Sequence, residues 1–533
     1  MRAKDKERIV VETTRRVLER ELDQAAQSRE AYLDNLIHEV FYFEDRRLEA
    51  SPYDTKDDRR WLNALRERAR NASERDKRDI LEAIIRRHMD EVVGHFSEAT
   101  YRLSTLILPA ALGFLLNTMT PLKLLRGLPR LPDVADNVTL GGETELVRAL
   151  EKRGTIILTP THSSNLDSII AGWAIYAAGL PPFTYGAGLN LFHNKFLGFF
   201  MNRLGAYKVD RLKQHRLYKD VLKEYATVTI ESGGHNLFFP GGTRSRSGAI
   251  EEHLKLGLLG CGLRAYANNL RANKENPNVY VVPCTINYQL VLEAETLIED
   301  HLKEAGKQRY IIEDDEFSRL ERIAAFLKNL VSLDARIDVV FSRPLDPFGN
   351  FVDEAGRSLD GAGRPIDIRR YLLRDGELAE DGARDAEFTR LLGEAIIDAF
   401  HRDTMIYPTH VVGWTIFENL RRRQPDPDFY RFLRQTGRDA SLPMAEAYRA
   451  VDRTLAALGR LAERSRLRLA EPSKTDGAPE AIDRALKLFG CYHKRPATER
   501  RGDRLFPGDM NLLYYYRNRL WGYDLDPAAT GAR

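Results

Sequence analysis

Thr155-Ile156-Ile157-Leu158, followed closely by Thr161-His162-Ser163-Ser164-Asn165-Leu166-Asp167, decides how the middle of this 533-residue chain folds. A short apolar run rich in β-branched residues and bounded by turn formers reads as a buried strand. The residues after it then sit at a strand end, where loops carry chemistry. They set an imidazole and a carboxylate in a His-x-x-x-x-Asp pattern. A carboxylate that takes the proton of one ring nitrogen fixes the tautomer. The other nitrogen is then free to accept a proton from an alcohol. A core histidine bonded to a helix-capping aspartate would look the same, so the pair alone names no activity.

The alternation continues outward. Strands are predicted at Thr155–Thr159, Phe183–Ala187, Ala206–Val209, Asn236–Phe239, Val279–Ile286 and Ile337–Phe341. Helices are predicted between them at Leu166–Ala177, Gln214–Glu231 and His253–Ala272. This order specifies an α/β fold with a mainly parallel or mixed sheet flanked by helices. Three parts are expected: a helical region over 1–135, a catalytic domain over 136–345 and a mostly helical region over 346–533. Glu471-Pro472-Ser473-Lys474-Thr475-Asp476-Gly477 reads as an exposed linker, and no internal repeat is expected.

Lys plus Arg (81) and Asp plus Glu (78) nearly cancel, leaving +3 and no nucleic-acid signature. Any anion site must therefore be a local cluster. Cys261, Cys284 and Cys491 are widely spaced and form no ligand pattern, which fits a reduced cytosolic setting. The charged start, Met1-Arg2-Ala3-Lys4-Asp5, leads into no signal-peptide core. Residues 103–122 lack charge and are followed by Lys123, Arg126 and Arg130. Their length is near the roughly 20 residues that span a bilayer, but Pro109, Asn117, Thr118, Thr120 and Pro121 dilute them. Shallow insertion is expected, with the protein peripheral or monotopic on the cytoplasmic face of a membrane.

Three further blocks follow in order: Leu204-Gly205-Ala206-Tyr207-Lys208-Val209-Asp210-Arg211, then Phe239-Pro240-Gly241-Gly242-Thr243-Arg244-Ser245-Arg246-Ser247-Gly248, then Val281-Val282-Pro283-Cys284-Thr285-Ile286-Asn287-Tyr288. With the His-x-x-x-x-Asp block, they resemble the four signature blocks of the glycerolipid acyltransferases, the enzymes that acylate glycerol 3-phosphate, dihydroxyacetone phosphate and lysophosphatidic acid. The resemblance runs from about Val138 to Leu345. A looser likeness to the long glycerol-3-phosphate acyltransferases extends to Pro408-Thr409-His410-Val411-Val412 and Leu512-Leu513-Tyr514-Tyr515-Tyr516.

Acyl transfer to an alcohol needs a base, and His162 oriented by Asp167 fills that role. Ser163 and Ser164 lack a nucleophile-elbow context and read as turn and cap residues; the resemblance implies direct transfer. Arg211, Arg244 and Arg246 come from two blocks and can fork onto one phosphate. Gly242 permits close backbone approach, while Thr243 and Ser245 add hydroxyls. The Walker Lys-Ser/Thr is missing, which argues against a nucleotide loop. Pro283 enters as an acceptor contact only through the resemblance. Many family members carry Glu where this chain has Gly241.

The resemblance implies acyl-CoA or acyl-carrier protein as donor, glycerol phosphate or lysophosphatidic acid as acceptor, a membrane surface as partner, and no cofactor. Glycerol 3-phosphate is the leading acceptor and lysophosphatidic acid the alternative. A non-catalytic lipid-binding scaffold is a remote third reading. A metallohydrolase built on His162, Asp167, His193 and His235 lacks any recognised ligand motif, so no metal is expected.

Overall fold

A computed structural model describes residues 3–27, 31–51, 55–94, 138–188, 205–210, 212–305, 336–423, 428–434, 440–490 and 493–525. The segment 103–122, Arg211, His193 and Cys491 lie outside these residues.

Seven strands form one sheet: β1 (Val138–Gly142), β2 (Thr155–Pro160), β3 (Thr184–Gly188), β4 (Ala206–Val209), β5 (Asn236–Leu237), β6 (Val279–Tyr288) and β7 (Ile337–Phe341). Their order across the sheet is β1-β7-β6-β2-β5-β3-β4. Every junction is parallel except that between β6 and β7, so the sheet is mixed. All residues of β2 and β6 are buried, as helices on both faces require. That double burial is why these strands read as continuous apolar runs and not as alternations. In such sheets ligands bind beyond the carboxyl ends of the strands. The His162 loop leaves β2 there, and the Gly242 loop leaves β5 at the same edge.

The apolar core of the sheet continues without a break into the C-terminal helices, through Phe400, Phe417, Leu458, Phe489, Leu513 and Leu520. A second core joins the four N-terminal helices, Ala3–Gln27, Tyr32–Ala50, Lys56–Ala69 and Glu74–Val92, to one face of the helix Arg216–Glu231. That helix serves two cores. Ala226 and Ile230 pack toward the sheet, while Leu217, Val221, Tyr225 and Val228 face the N-terminal helices.

Four readings from sequence need correction. β1 was not anticipated, because Val138-Thr139-Leu140-Gly141-Gly142 has too few apolar residues; it forms by parallel pairing with β7. β5 stops at Leu237, because the chain turns away at Phe239-Pro240 toward the glycine loop. The supposed linker begins with a helical turn, Glu471–Thr475, in which Ser473 is buried. A repeat does exist: Asp346-Pro-Phe-Gly349-Asn350, Asp353-Glu-Ala-Gly356-Arg357 and Asp360-Gly-Ala-Gly363-Arg364 are spaced by seven residues. In each, the aspartate accepts main-chain N–H bonds from two and four residues ahead, and the glycine has φ of +92°, +79° and +79° in turn. These are successive tight turns, each closed by its Asx bonds.

His88 and His493 are fully enclosed, and burial lowers them to about 4 and about 3. The unfolded chain takes up those protons near the ordinary 6.5. Between these values the unfolded state binds more protons, so stability falls as pH falls from 6.5 toward 4. The melting temperature is expected to drop across that window, by an amount worth up to a few kcal/mol. A flat profile from pH 7 to 4.5 would contradict this.

Candidate active site

The helix Asp167–Ala177 begins at Asp167, behind the cap residue Leu166, whose side chain makes no capping bond. Neither serine is the N-cap, but Ser164 holds the turn before the helix, its Oγ accepting the Leu166 N–H at 3.2 Å. Ser164 Oγ donates to Glu293 at 2.8 Å, and Ser163 Oγ accepts from Arg519 at 3.2 Å.

Asp167 is completely buried. One oxygen, Oδ2, accepts from His162 Nδ1 at 2.8 Å and from the main-chain N–H groups of Ser163 and Ser164 at 2.6 and 2.8 Å. The other, Oδ1, accepts from Tyr288 Oη at 2.6 Å. Four donors thus converge on one carboxylate and fix its position. His162 is thereby turned with Nδ1 inward and Nε2 outward. Its ring stacks on Phe239, with centroids 4.2 Å apart, and keeps 14% of its side chain exposed. A base with one nitrogen held and the other reachable is what proton abstraction from an alcohol requires.

His162 lines a cavity of about 320 Å³ together with Phe239, Gly242, Arg244 and three lysines, Lys219, Lys223 and Lys255. Gly242 turns the chain with φ +77° and bonds back to Phe239 O at 3.0 Å. Arg244 is held by Glu293, Nη1 to Oε1 at 3.3 Å. Glu293 is fully buried and also accepts from the Asn165 N–H at 2.9 Å. Burial pushes its carboxyl up from the ordinary range, and the nearby Arg244 cation opposes that. One glutamate thus ties the histidine loop to the arginine loop.

The other expected anion ligands divide. Arg246 pairs with the exposed Glu304 at 2.6 Å on the outer side of the loop, the usual fate of a surface arginine. Thr243 and Ser245 also line that outer cleft and not the His162 cavity. The Ser245 hydroxyl donates to Ala249 O at 2.7 Å, so it braces the loop instead of pointing at an anion. Pro283 lies inside the sheet opposite Thr159 and does not line the cavity among the described residues. His235 is spent inside the fold, where its Nδ1 accepts from the Ile156 N–H at 3.0 Å. Among the described residues no group of three or more His, Cys, Asp or Glu side chains could hold a metal ion.

Tyr288, Glu293, Glu251 and Arg519 were not singled out from the sequence as site residues. Tyr288 ends the fourth signature block but reads there as strand. The other three come from distant segments with no local pattern.

Residues 141–287 match the family model described as Acyltransferase. The chain is 27% identical over 281 residues to the glycerol-3-phosphate acyltransferase of Pseudomonas syringae pv. tomato, covering 52% of this chain and 30% of that protein. The protein of the same name from Aeromonas hydrophila subsp. hydrophila is 30% identical over 270 residues, 50% of this chain and 29% of its own length. That from Haemophilus ducreyi is 34% identical over 166 residues, 31% of this chain and 19% of its own length. The chain thus spans under a third of the length of the relatives it matches.

Proposed function

We propose, on the premise that this chain carries a domain of the glycerolipid acyltransferase family, that it moves a fatty acyl group from a thioester to a hydroxyl of glycerol 3-phosphate. The observation that carries this reading is the His162–Asp167 pair opening onto a cavity that also holds Arg244. Asp167 keeps the proton of His162 on Nδ1. Nε2 takes the proton of the acceptor hydroxyl as its oxygen attacks the thioester carbonyl. The C–S bond then breaks, and the imidazolium returns the proton to the departing thiolate. No acyl group rests on the enzyme. Ser163 Oγ is already bonded to Arg519, which fits a structural role for that serine.

Arg244 supplies positive charge for the acceptor phosphate, and the lysines at the cavity wall supply it for an acidic donor such as acyl-CoA or acyl-carrier protein. The test is transfer of a labelled acyl group from acyl-CoA, by purified protein, to glycerol 3-phosphate, dihydroxyacetone phosphate and lysophosphatidic acid compared side by side. Glycerol 3-phosphate should react fastest. A clear preference for lysophosphatidic acid would move the enzyme to the next step of phospholipid synthesis.

Among the described residues no helix is long and apolar enough to cross a membrane. Attachment to a membrane surface rests on the uncharged stretch 103–122 and its basic flank. The protein is expected to pellet with anionic vesicles, and replacing Leu106, Ile107, Phe114 and Leu115 with Ser should release it. Binding that persists in the folded variant would contradict the assignment.

A further inference from the structure

We propose that Glu251 is the positioning residue of the His162 loop, and that position 241 is glycine so that Glu251 can reach that loop. The proposal rests on the acyltransferase reading and names a residue to which neither the signature blocks nor the relatives assign a role.

Three observations carry it. Glu251 Oε1 accepts the main-chain N–H of His162 at 2.7 Å. Its Oε2 is shielded from solvent and, among the described residues, has no hydrogen-bond partner. A Cβ built on Gly241 would meet Glu251 Cγ at 3.2 Å and Oε1 at 3.6 Å, so a side chain at 241 would crowd Glu251. Gly241 does not have the positive φ that reserves a position for glycine, unlike its neighbour Gly242. What is required at 241 is room. A carboxylate side chain placed at 241 would contend with Glu251 for this room.

The surrounding bonds show what the clamp does. Ser245 N–H donates to His162 O at 2.7 Å, and Lys255 N–H closes the segment onto Pro240 O at 2.7 Å. The peptide groups on both sides of His162 are therefore held by the loop that also carries Arg244. Base and anion grip move as one piece. A loosened loop would still bind the acceptor but would present its hydroxyl to Nε2 poorly. Small misplacements of this kind are expensive in rate.

The test uses the full chain and four variants. Glu251→Ala should lower kcat by about ten- to a hundredfold with the acceptor KM little changed. Glu251→Gln keeps an oxygen for the His162 N–H and should stay close to wild type. Gly241→Glu should be impaired, since two carboxylates then compete for one space. Gly241→Glu combined with Glu251→Ala should be more active than either single variant, a recovery that mere loss of a packing contact would not give. Hydrogen exchange of the Thr161–Leu166 amides should quicken in Glu251→Ala. Normal kcat in Glu251→Ala, or no recovery in the double variant, would overturn the proposal. If wild type acylates none of the three acceptors, the acyltransferase reading fails. The exchange measurement still decides the clamp, and unchanged exchange would overturn it.

Discussion

Replacing His162 with alanine is expected to cut acyl transfer by about 10²–10⁴-fold, the range for loss of a general base. The melting temperature should barely move, because the ring packs on Phe239 at the cavity wall and keeps part of its surface exposed. Donor binding should persist. Asp167→Asn should be almost as damaging, and for a reason specific to this site. Asp167 receives four donors: His162 Nδ1, two main-chain N–H groups and the Tyr288 hydroxyl. An asparagine offers one oxygen, and its NH₂ must face a donor. The imidazole then loses the partner that sets its tautomer and stabilises its charged form. A further cost of about 1–3 kcal/mol in stability is expected from the unsatisfied buried group, and urea unfolding of the variant would measure it. Full activity in His162→Ala would end the assignment.

The second large effect concerns Arg244. Its removal should raise the acceptor KM by about ten- to a hundredfold, the worth of a charged hydrogen bond, with the KM of the thioester nearly unchanged. Arg244→Lys should recover little, because a lysine cannot keep the hold on Glu293 and also present a fork to phosphate. Arg246→Ala should be mild by comparison, since that guanidinium faces outward to Glu304. Equal damage to both substrates by Arg244→Ala would count against a phosphate role. Steady-state kinetics with each substrate varied in turn separates these outcomes.

Most of the sheet was legible from the sequence because its central strands are buried on both faces. Burial on both faces leaves uninterrupted apolar runs, as in Val279-Tyr280-Val281-Val282 at the start of β6. β1 was not legible, since its few apolar residues become a strand by pairing with one far along the chain. The His162–Asp167 pair could be read because both members sit in one short loop. Glu293, Glu251 and Arg519 could not, because each meets that loop across more than eighty residues of sequence. No local pattern encodes such contacts. Arg246 and the Ser245 hydroxyl show the opposite error: a motif places residues in a loop, and only the fold decides which side of it they face. Arg211, the second arginine of the expected pair, lies outside the described residues, so its part in the phosphate grip remains a proposal from its signature block.

Rapid mixing of wild-type protein with acyl-CoA, without and then with glycerol 3-phosphate, tests direct transfer from base-activated acceptor most directly. Free thiol and acylated glycerol phosphate are followed in the same samples. Without acceptor no stoichiometric release of thiol is expected. With acceptor, thiol and acylated product should appear together, one for one, and His162→Ala should show neither. A burst of thiol in the absence of acceptor, with an acyl group trapped on Ser163, would contradict the account.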